Sequence, residues 1–185
     1  MLASLKGATE PGSTADIVLR APASGDFAAL AEIRRDPDMQ AMLLAVIDAT
    51  DDAAVREWID RRAHDANGVF RILADAKTGE ALGYVQITDI HRRNRHGSLG
   101  IAIRRHAQGR GIGTAALNLL HALARDACGL EKLLLTVRAD NAAARALYRR
   151  AGYRMVGTLE RHFRDRDGGL HDVMLLERAL RGDAT

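Results

Sequence analysis

The chain has 185 residues, 47% of them hydrophobic and 28% charged, as expected of a single soluble globular domain with a sizeable core. Its pI is about 9.4, yet the formal net charge is only +3, far from the concentrated positive face of a nucleic-acid binder. No apolar run approaches the roughly 20 residues that cross a bilayer, and a single cysteine, Cys128, excludes an internal disulfide framework and fits a cytoplasmic protein.

In chain order, residues 1–15 are small and polar, without the apolar stretch of a secretory signal, and read as a disordered tail. Residues 16–181 read as one domain and 182–185 as a second tail. Asp16–Ala21 is a short β-branched run stopped by Pro22, a first strand. Ser24 or Asp26 can cap a helix through Phe27, Leu30 and Ile33, ended at Asp36-Pro37. Met39–Ile47 is apolar and fits a loop or a short helix. Thr50-Asp51-Asp52 opens a helix carrying Val55, Trp58 and Ile59, stopped near Asn67-Gly68. Val69–Ala74 and Glu80–Ile90 are strands joined by a turn at Asp75–Gly79. A basic loop, His91–His96, precedes a strand over Ser98–Ile103. An amphipathic helix, the strand Lys132–Val137, a short helix opened by Asp140-Asn141, and a terminal hairpin around Asp165–Gly169 complete a mixed α/β domain with a central mixed sheet flanked by helices.

The informative stretch is the junction after Ile103. Gln108-Gly109-Arg110-Gly111-Ile112-Gly113-Thr114 is a glycine-rich turn between a strand and a helix, where free amides and the positive helix end suit a phosphate. It has no lysine for a nucleoside-triphosphate loop. Thr114 stands where a dinucleotide fingerprint wants glycine or alanine. A turn that merely needs positive φ also explains the glycines. Arg104, Arg105 and Arg110 beside them favour an anionic ligand.

Gln108–Gly113 resembles the acetyl-CoA pyrophosphate loop of the GNAT N-acetyltransferases. Asn141-Ala-Ala-Ala144-Arg-Ala-Leu147-Tyr148-Arg-Arg-Ala-Gly152-Tyr153 is similar to a second motif of that family, Asn-x-x-Ala-x-x-Leu-Tyr-x-x-x-Gly-Phe. The spacing of the two also fits, and the likeness runs in element order from about Ile17 to Leu180. Gly157-Thr-Leu-Glu160-Arg-His-Phe-Arg164 resembles the last hairpin of the branch that acetylates ribosomal-protein N-termini, polyamines and amino sugars.

The resemblance implies acetyl-CoA as co-substrate, no metal, and direct transfer to a primary amine of a small molecule or a protein N-terminus. It leaves a homodimer open and implies no nucleic-acid or membrane partner. Carried over by position, it implies cofactor contacts from Ile101, Ala102 and Ile103 on the strand, from Gln108, Gly109, Arg110, Gly111, Ile112, Gly113 and Thr114 on the turn, and from Asn141 and Ala144. Asn141 also reads as a simple N-cap.

Tyr148 falls beside the apolar face Ala144, Leu147, Ala151 at helical spacing, so it reads either as a core aromatic or, by resemblance, as the acid that protonates the leaving sulfur. Many family members carry glutamate on the strand before the glycine turn; His96–Ile101 here has none. Asp89, His91, His96 and Glu160 are the alternatives for a base, and Asp89, His91 and Glu160 for acceptor contacts. Asp36, Asp38, Asp48, Asp51 and Asp52 would attract a cation, unless helix caps account for them. Cys128 reads as a core residue, and the seven histidines contain no i,i+4 pair to suggest a metal. A non-catalytic acyl-CoA-sensing module on the same fold, which needs the glycines and Asn141 but not Tyr148, is the alternative to an enzyme.

Overall fold

The computed structural model describes residues 16–180, and the two tails read from the sequence lie outside them. β1 (Ile17–Arg20) leads through a 3-10 turn (Ser24–Asp26) into α1 (Phe27–Arg35), α2 (Pro37–Met42) and α3 (Asp52–Ala63). Asp26, expected as a helix cap, instead receives the Arg20 guanidinium on both oxygens (2.6 and 2.7 Å) and the Ala23 amide. Burial opposes its charge, but these bonds hold its carboxyl below the usual carboxylate range. Pro37 ends α1 and then serves as the first residue of α2, where the Asp36 carboxylate accepts the Met39 amide at 3.0 Å. The ambiguous apolar run after Met39 is therefore helical to Met42 and turns at Leu44, whose φ is +58°. Asp51 caps α3 by accepting the amides of Ala53 and Ala54, and α3 ends at Ala63, short of the Asn67-Gly68 stop.

β2 (Val69–Asp75), β3 (Ala81–His91) and β4 (His96–Ile103) form an antiparallel meander. Its second turn is tighter than the basic run predicts: His91 and His96 pair across it, rings 5.3 Å apart, and only Arg92–Arg95 remain outside the strands. A 3-10 turn (Arg105–Ala107) and the glycine turn follow. α4 (Ile112–Ala122) runs on through one π-helical turn at Leu123–Ala127 to β5 (Lys132–Arg138), then α5 (Ala142–Arg150). β6 (Arg154–Arg164) and β7 (Leu170–Ala179) are longer than their alternation suggests, because bulges at 155–157 and 159–163 of β6 interrupt the pattern.

Among the described residues these make one seven-stranded sheet, ordered β1-β2-β3-β4-β5-β7-β6, in one domain. Every neighbouring pair is antiparallel except β4–β5. Val85, Ile87, Leu117, Leu120, Leu133 and Leu135 belong to the core that holds α4 and α5. Leu30, Ile33, Phe70 and Tyr84 gather around Trp58 in the core that holds α1 and α3, with Trp58 edge-on to Phe70 (5.7 Å) and Tyr84 (5.6 Å).

The feature that positions the site is the seam between β4 and β5. Its parallel register covers only His96–Lys132, Gly97–Leu133 and Ser98–Leu134. β5 meanwhile pairs with β7 along its whole length, from Lys132 to Arg138. From Leu99 on, β4 has a partner on one side only.

Candidate active site

The unpaired edge of β4, Leu99–Ile103, carries Ile101, Ala102 and Ile103, the strand residues singled out from the sequence. Successive side chains go to opposite faces: Ala102 is buried in the Trp58 core, whereas Ile101 and Ile103 pack against the α4–α5 core. With the side chains so engaged, the strand offers its backbone to the gap, the arrangement by which an extended amide-bearing chain adds to a sheet.

At the end of β4 the glycine turn begins. Gln108 bends back so that its Nε2 donates to the Ile103 carbonyl at 2.8 Å, fixing the turn to the strand. Gly109 and Gly111 have φ of +74° and +76°, conformations that L side chains adopt only with strain. Gly111 is the N-cap of α4 and supplies no capping side chain. Its carbonyl accepts the amides of Thr114 and Ala115, while those of Ile112 and Gly113, at the first turn, have no acceptor within the helix. An open helix start with orphan donors is an anion site in form. Ile112 contributes only backbone, its side chain being 1% exposed. Gly113 allows close packing: a Cβ there would lie 3.0 Å from Leu147 Cδ2.

The arginines divide. Arg104 is bound to Glu32 and Glu80, and Arg105 to Asp36 and Asp38. The reading of both as ligands for the anion is therefore corrected: these guanidiniums tie the turn to α1 and α2. Arg110 is exposed and makes no ion pair among the described residues. The same bonds account for most of the acidic cluster. Asp36 and Asp38 face Arg105, Asp51 caps α3, and Asp52 pairs with Arg35 at 2.5 Å, so these acids form no free cation site.

Across the seam, Asn141 caps α5 through its side-chain oxygen, which accepts the Ala144 amide at 3.1 Å. Ala144, Leu147 and Ala151 pack on the core as the spacing predicts. Tyr148 is 7% exposed, its ring edge-on to Tyr153 at 5.6 Å. Its hydroxyl makes no hydrogen bond among the described residues. Burial pushes its pKa up to about 12, so it is a neutral phenol at physiological pH.

The four base candidates lie apart. His91 and His96 stack at the meander turn, at the closed end of the seam, and His91 Nδ1 accepts the Asn94 amide at 3.1 Å. Asp89 sits in the bulge of β3 at φ +53°, accepting a bond from Thr88 Oγ1 at 2.9 Å. Glu160 is exposed on the bulged outermost strand. Among the described residues no group of three or more His, Cys, Asp or Glu is arranged to hold a metal, and no helix is long and apolar enough to cross a membrane. Cys128 is half-buried and burial raises its thiol pKa, so it is not a thiolate nucleophile.

Sequence reasoning missed Gln86. It pairs with Gly100 across β3–β4, and a Cβ at Gly100 would lie 2.8 Å from Gln86 Nε2. Its Oε1 is buried without a partner, a costly state for a carbonyl oxygen. A polar residue within the otherwise apolar run Ala81–Ile87 was the only available signal.

This sheet, opened between two parallel strands with a glycine turn after the first and an asparagine-capped helix after the second, has the form of an acetyltransferase. Residues 16–154 match the model of the acetyltransferase (GNAT) domain, and the chain belongs to that family. The L-amino acid N-acetyltransferase AaaT of Escherichia coli is 26% identical over 146 residues, 77% of this chain and 86% of that protein. A spermidine N-acetyltransferase from Vibrio cholerae, solved with CoA and spermine, shares the fold with a TM-score of 0.80 at 22% identity, covering 89% of this chain and 95% of that one. A probable acetyltransferase gives a TM-score of 0.76 at 22% identity, with coverage of 89% and 93%.

Proposed function

We propose that the protein is an acetyl-CoA-dependent N-acetyltransferase that passes the acetyl group directly to a primary amine, of a small molecule rather than a protein N-terminus. The observation that carries this reading is the parting of β4 from β5 between an uncapped helix start and a buried, neutral tyrosine. Acetyl-CoA supplies the activated thioester. The amides of Gly109–Gly113, with Arg110 and Thr114, bind the pyrophosphate, and Gln108 keeps the turn in place. The backbone of Ile101–Ile103 receives the amide-bearing arm, with Asn141 and Ala144 on the opposite wall. The Tyr148 phenol gives its proton to the departing sulfur.

The amine must lose a proton. At pH 7 only about a thousandth of an amine of pKa near 10 is neutral, roughly 4 kcal/mol uphill. Of the four candidates, Asp89 is nearest in register to the opened edge, since its neighbour Thr88 pairs with Ser98. We assign it the base role through water, with His91 and Glu160 as rim contacts for the acceptor. The relatives support a small acceptor: the Escherichia coli protein is named for L-amino acids and the Vibrio cholerae enzyme for spermidine.

The sensing-module alternative is favoured by one observation, the lack of any carboxylate on Leu99–Ile103. Thiol release from acetyl-CoA, assayed across amino acids, polyamines, amino sugars, aminoglycosides and N-terminal peptides, separates the two. Turnover with a small amine, reduced by Tyr148→Phe, is the expected result. Tight acetyl-CoA binding with no turnover on any of them favours the sensor.

A further inference from the structure

Positive charge gathers without matching acid around Trp58 on the α1–α3 face. A recess of about 440 Å³ is lined by Arg34, Trp58, Arg61, Arg62 and Asp65. The Arg34 guanidinium stands 5.0 Å over the Trp58 ring and reaches Gln40 Oε1 at 3.4 Å. It has no carboxylate partner among the described residues, and Arg62 makes no hydrogen bond or ion pair there. Arg61 meets only the exposed Glu57, at 3.5 Å. Asp65 is turned toward backbone, accepting the Asn67 amide at 2.9 Å. The contrast with the surroundings is plain: Arg20, Arg35, Arg104 and Arg105 each face a carboxylate. Burial lowers the pKa of Arg34, Tyr84 opposes the shift, and the neighbouring Arg61 and Arg62 add to it. A half-buried cation among like charges is unfavourable until an anion joins it.

The recess is linked to the opened strand through two buried rings. Its wall, Trp58, contacts Tyr84 at 5.6 Å, and Tyr84 pairs with Ala102 of β4. A second recess of about 160 Å³ shares Arg34 and continues past Gln40 and Thr50 to Arg166 on the β6–β7 turn. α4 and α5 pack on the opposite face of the sheet, so the recess lies on the face that carries α1 and α3.

We infer that the recess beside Trp58 binds a carboxylate carried by the amine acceptor, with Arg34 and Arg62 holding the acid and Trp58 covering the apolar part beside it. The acceptor is then an acidic or zwitterionic amine and not a polycation, which would meet three guanidiniums. The carboxylate assignment of the acceptor rests on the transferase reading above; the anion site itself does not.

Trp58 is the one tryptophan of the sequence, so its fluorescence reads the recess directly. The full chain, saturated with CoA, is titrated with N-acetyl-L-leucine and with N-acetyl-L-leucinamide, which differ in the carboxylate. The acid should change the emission saturably and the amide should not. Arg34→Gln should raise the midpoint about tenfold, the scale of one charge-assisted hydrogen bond. Arg62→Gln, farther from the core, should act in the same direction if Arg34→Gln does not fold. In thiol-release assays Arg34→Gln should raise KM for L-leucine by a similar factor, leaving KM for acetyl-CoA and for L-leucinamide within about twofold. Equal responses to acid and amide, or midpoints unchanged in both variants, overturn the site. Spermidine turned over in preference to L-leucine, with KM indifferent to Arg34→Gln, overturns the acceptor assignment and leaves the transferase reading intact. Carboxylate-selective emission without acetylation of any amine keeps the anion site and removes the transferase reading.

Discussion

His121 Nε2 lies 3.0 Å from the Tyr153 hydroxyl, within the core behind Tyr148. Its Nδ1 faces Arg178 at 2.8 Å. Arginine can only donate, so Nδ1 accepts and the ring proton sits on Nε2, directed at the Tyr153 oxygen. Arg178 also binds the Ala151 carbonyl at the end of α5. One guanidinium thus fixes both the histidine tautomer and the end of the helix that carries Tyr148. Burial, reinforced by Arg178 and Arg125, lowers the His121 pKa to about 4.

That depressed value sets a pH dependence. Above pH 6.5, His121 is neutral both folded and unfolded, and its contribution is flat. As pH falls toward 4 the unfolded chain takes the proton first, so the folded state loses roughly 3 kcal/mol across this window. Urea midpoints between pH 7 and 5 should fall for the parent more steeply than for His121→Gln. Parallel slopes would show that the ring does not titrate as its surroundings dictate.

Tyr148→Phe separates chemistry from packing. Because the hydroxyl has no protein hydrogen bond among the described residues, its loss should change stability by less than about 1 kcal/mol. The same variant should lower kcat about a hundredfold or more if the phenol is the proton donor. Single-turnover thiol release gives the second figure, thermal unfolding the first.

The glycines of the turn should not be equivalent. Gly111→Val forces a β-branched residue to φ near +76° at the cap of α4, and should weaken acetyl-CoA binding at least about tenfold. Gly113→Ala meets the tip of the flexible Leu147 side chain and, at an ordinary 3.5 Å, Ile103 Cδ1, and should cost less than about threefold. Calorimetric titration with acetyl-CoA of both variants checks the order.

Gln86→Met tests the unpaired oxygen beside Gly100. Replacing a buried, unsatisfied amide by an apolar side chain of similar length should leave stability unchanged or raise it by up to about 1 kcal/mol. If Gln86 receives an acceptor N–H, KM for the amine should rise about five- to tenfold with KM for acetyl-CoA unaffected.

Much of this was legible in one sequence because local chemistry carried it. Asn141, Gly111 and Pro37 mark helix starts whose backbone needs are strictly local, and the order of apolar strands followed from alternation. Charge pairing was not legible. Arg104 and Arg105 look like phosphate ligands when read beside the glycines, yet Glu32 and Asp36, about seventy positions earlier, take them up. Likewise nothing near Arg34 in the chain announces that it lacks an acid, and Gln86 shows its isolation only once Gly100 lies across from it. The β6 bulges defeated a strict two-residue period. The anion-site form of the turn was readable because the turn makes it alone; the two recesses that share Arg34 are assembled from α1, α2, α3 and the β6–β7 turn, and only folding brings these together.

The three residue pairs that join β4 to β5 also determine how the molecule bears load. Four strands hang on one side of that seam and three on the other; their strand pairing across it lies at a single end, above a shared side-chain core, so sideways tension on the pairing concentrates on Ser98 and Leu134 as on the last tooth of a zip. Anything that bridges the strands beyond that tooth stiffens the whole sheet at once. A loaded molecule should resist pulling across this line with a visibly higher rupture force than an empty one, making mechanical strength a direct count of occupied molecules.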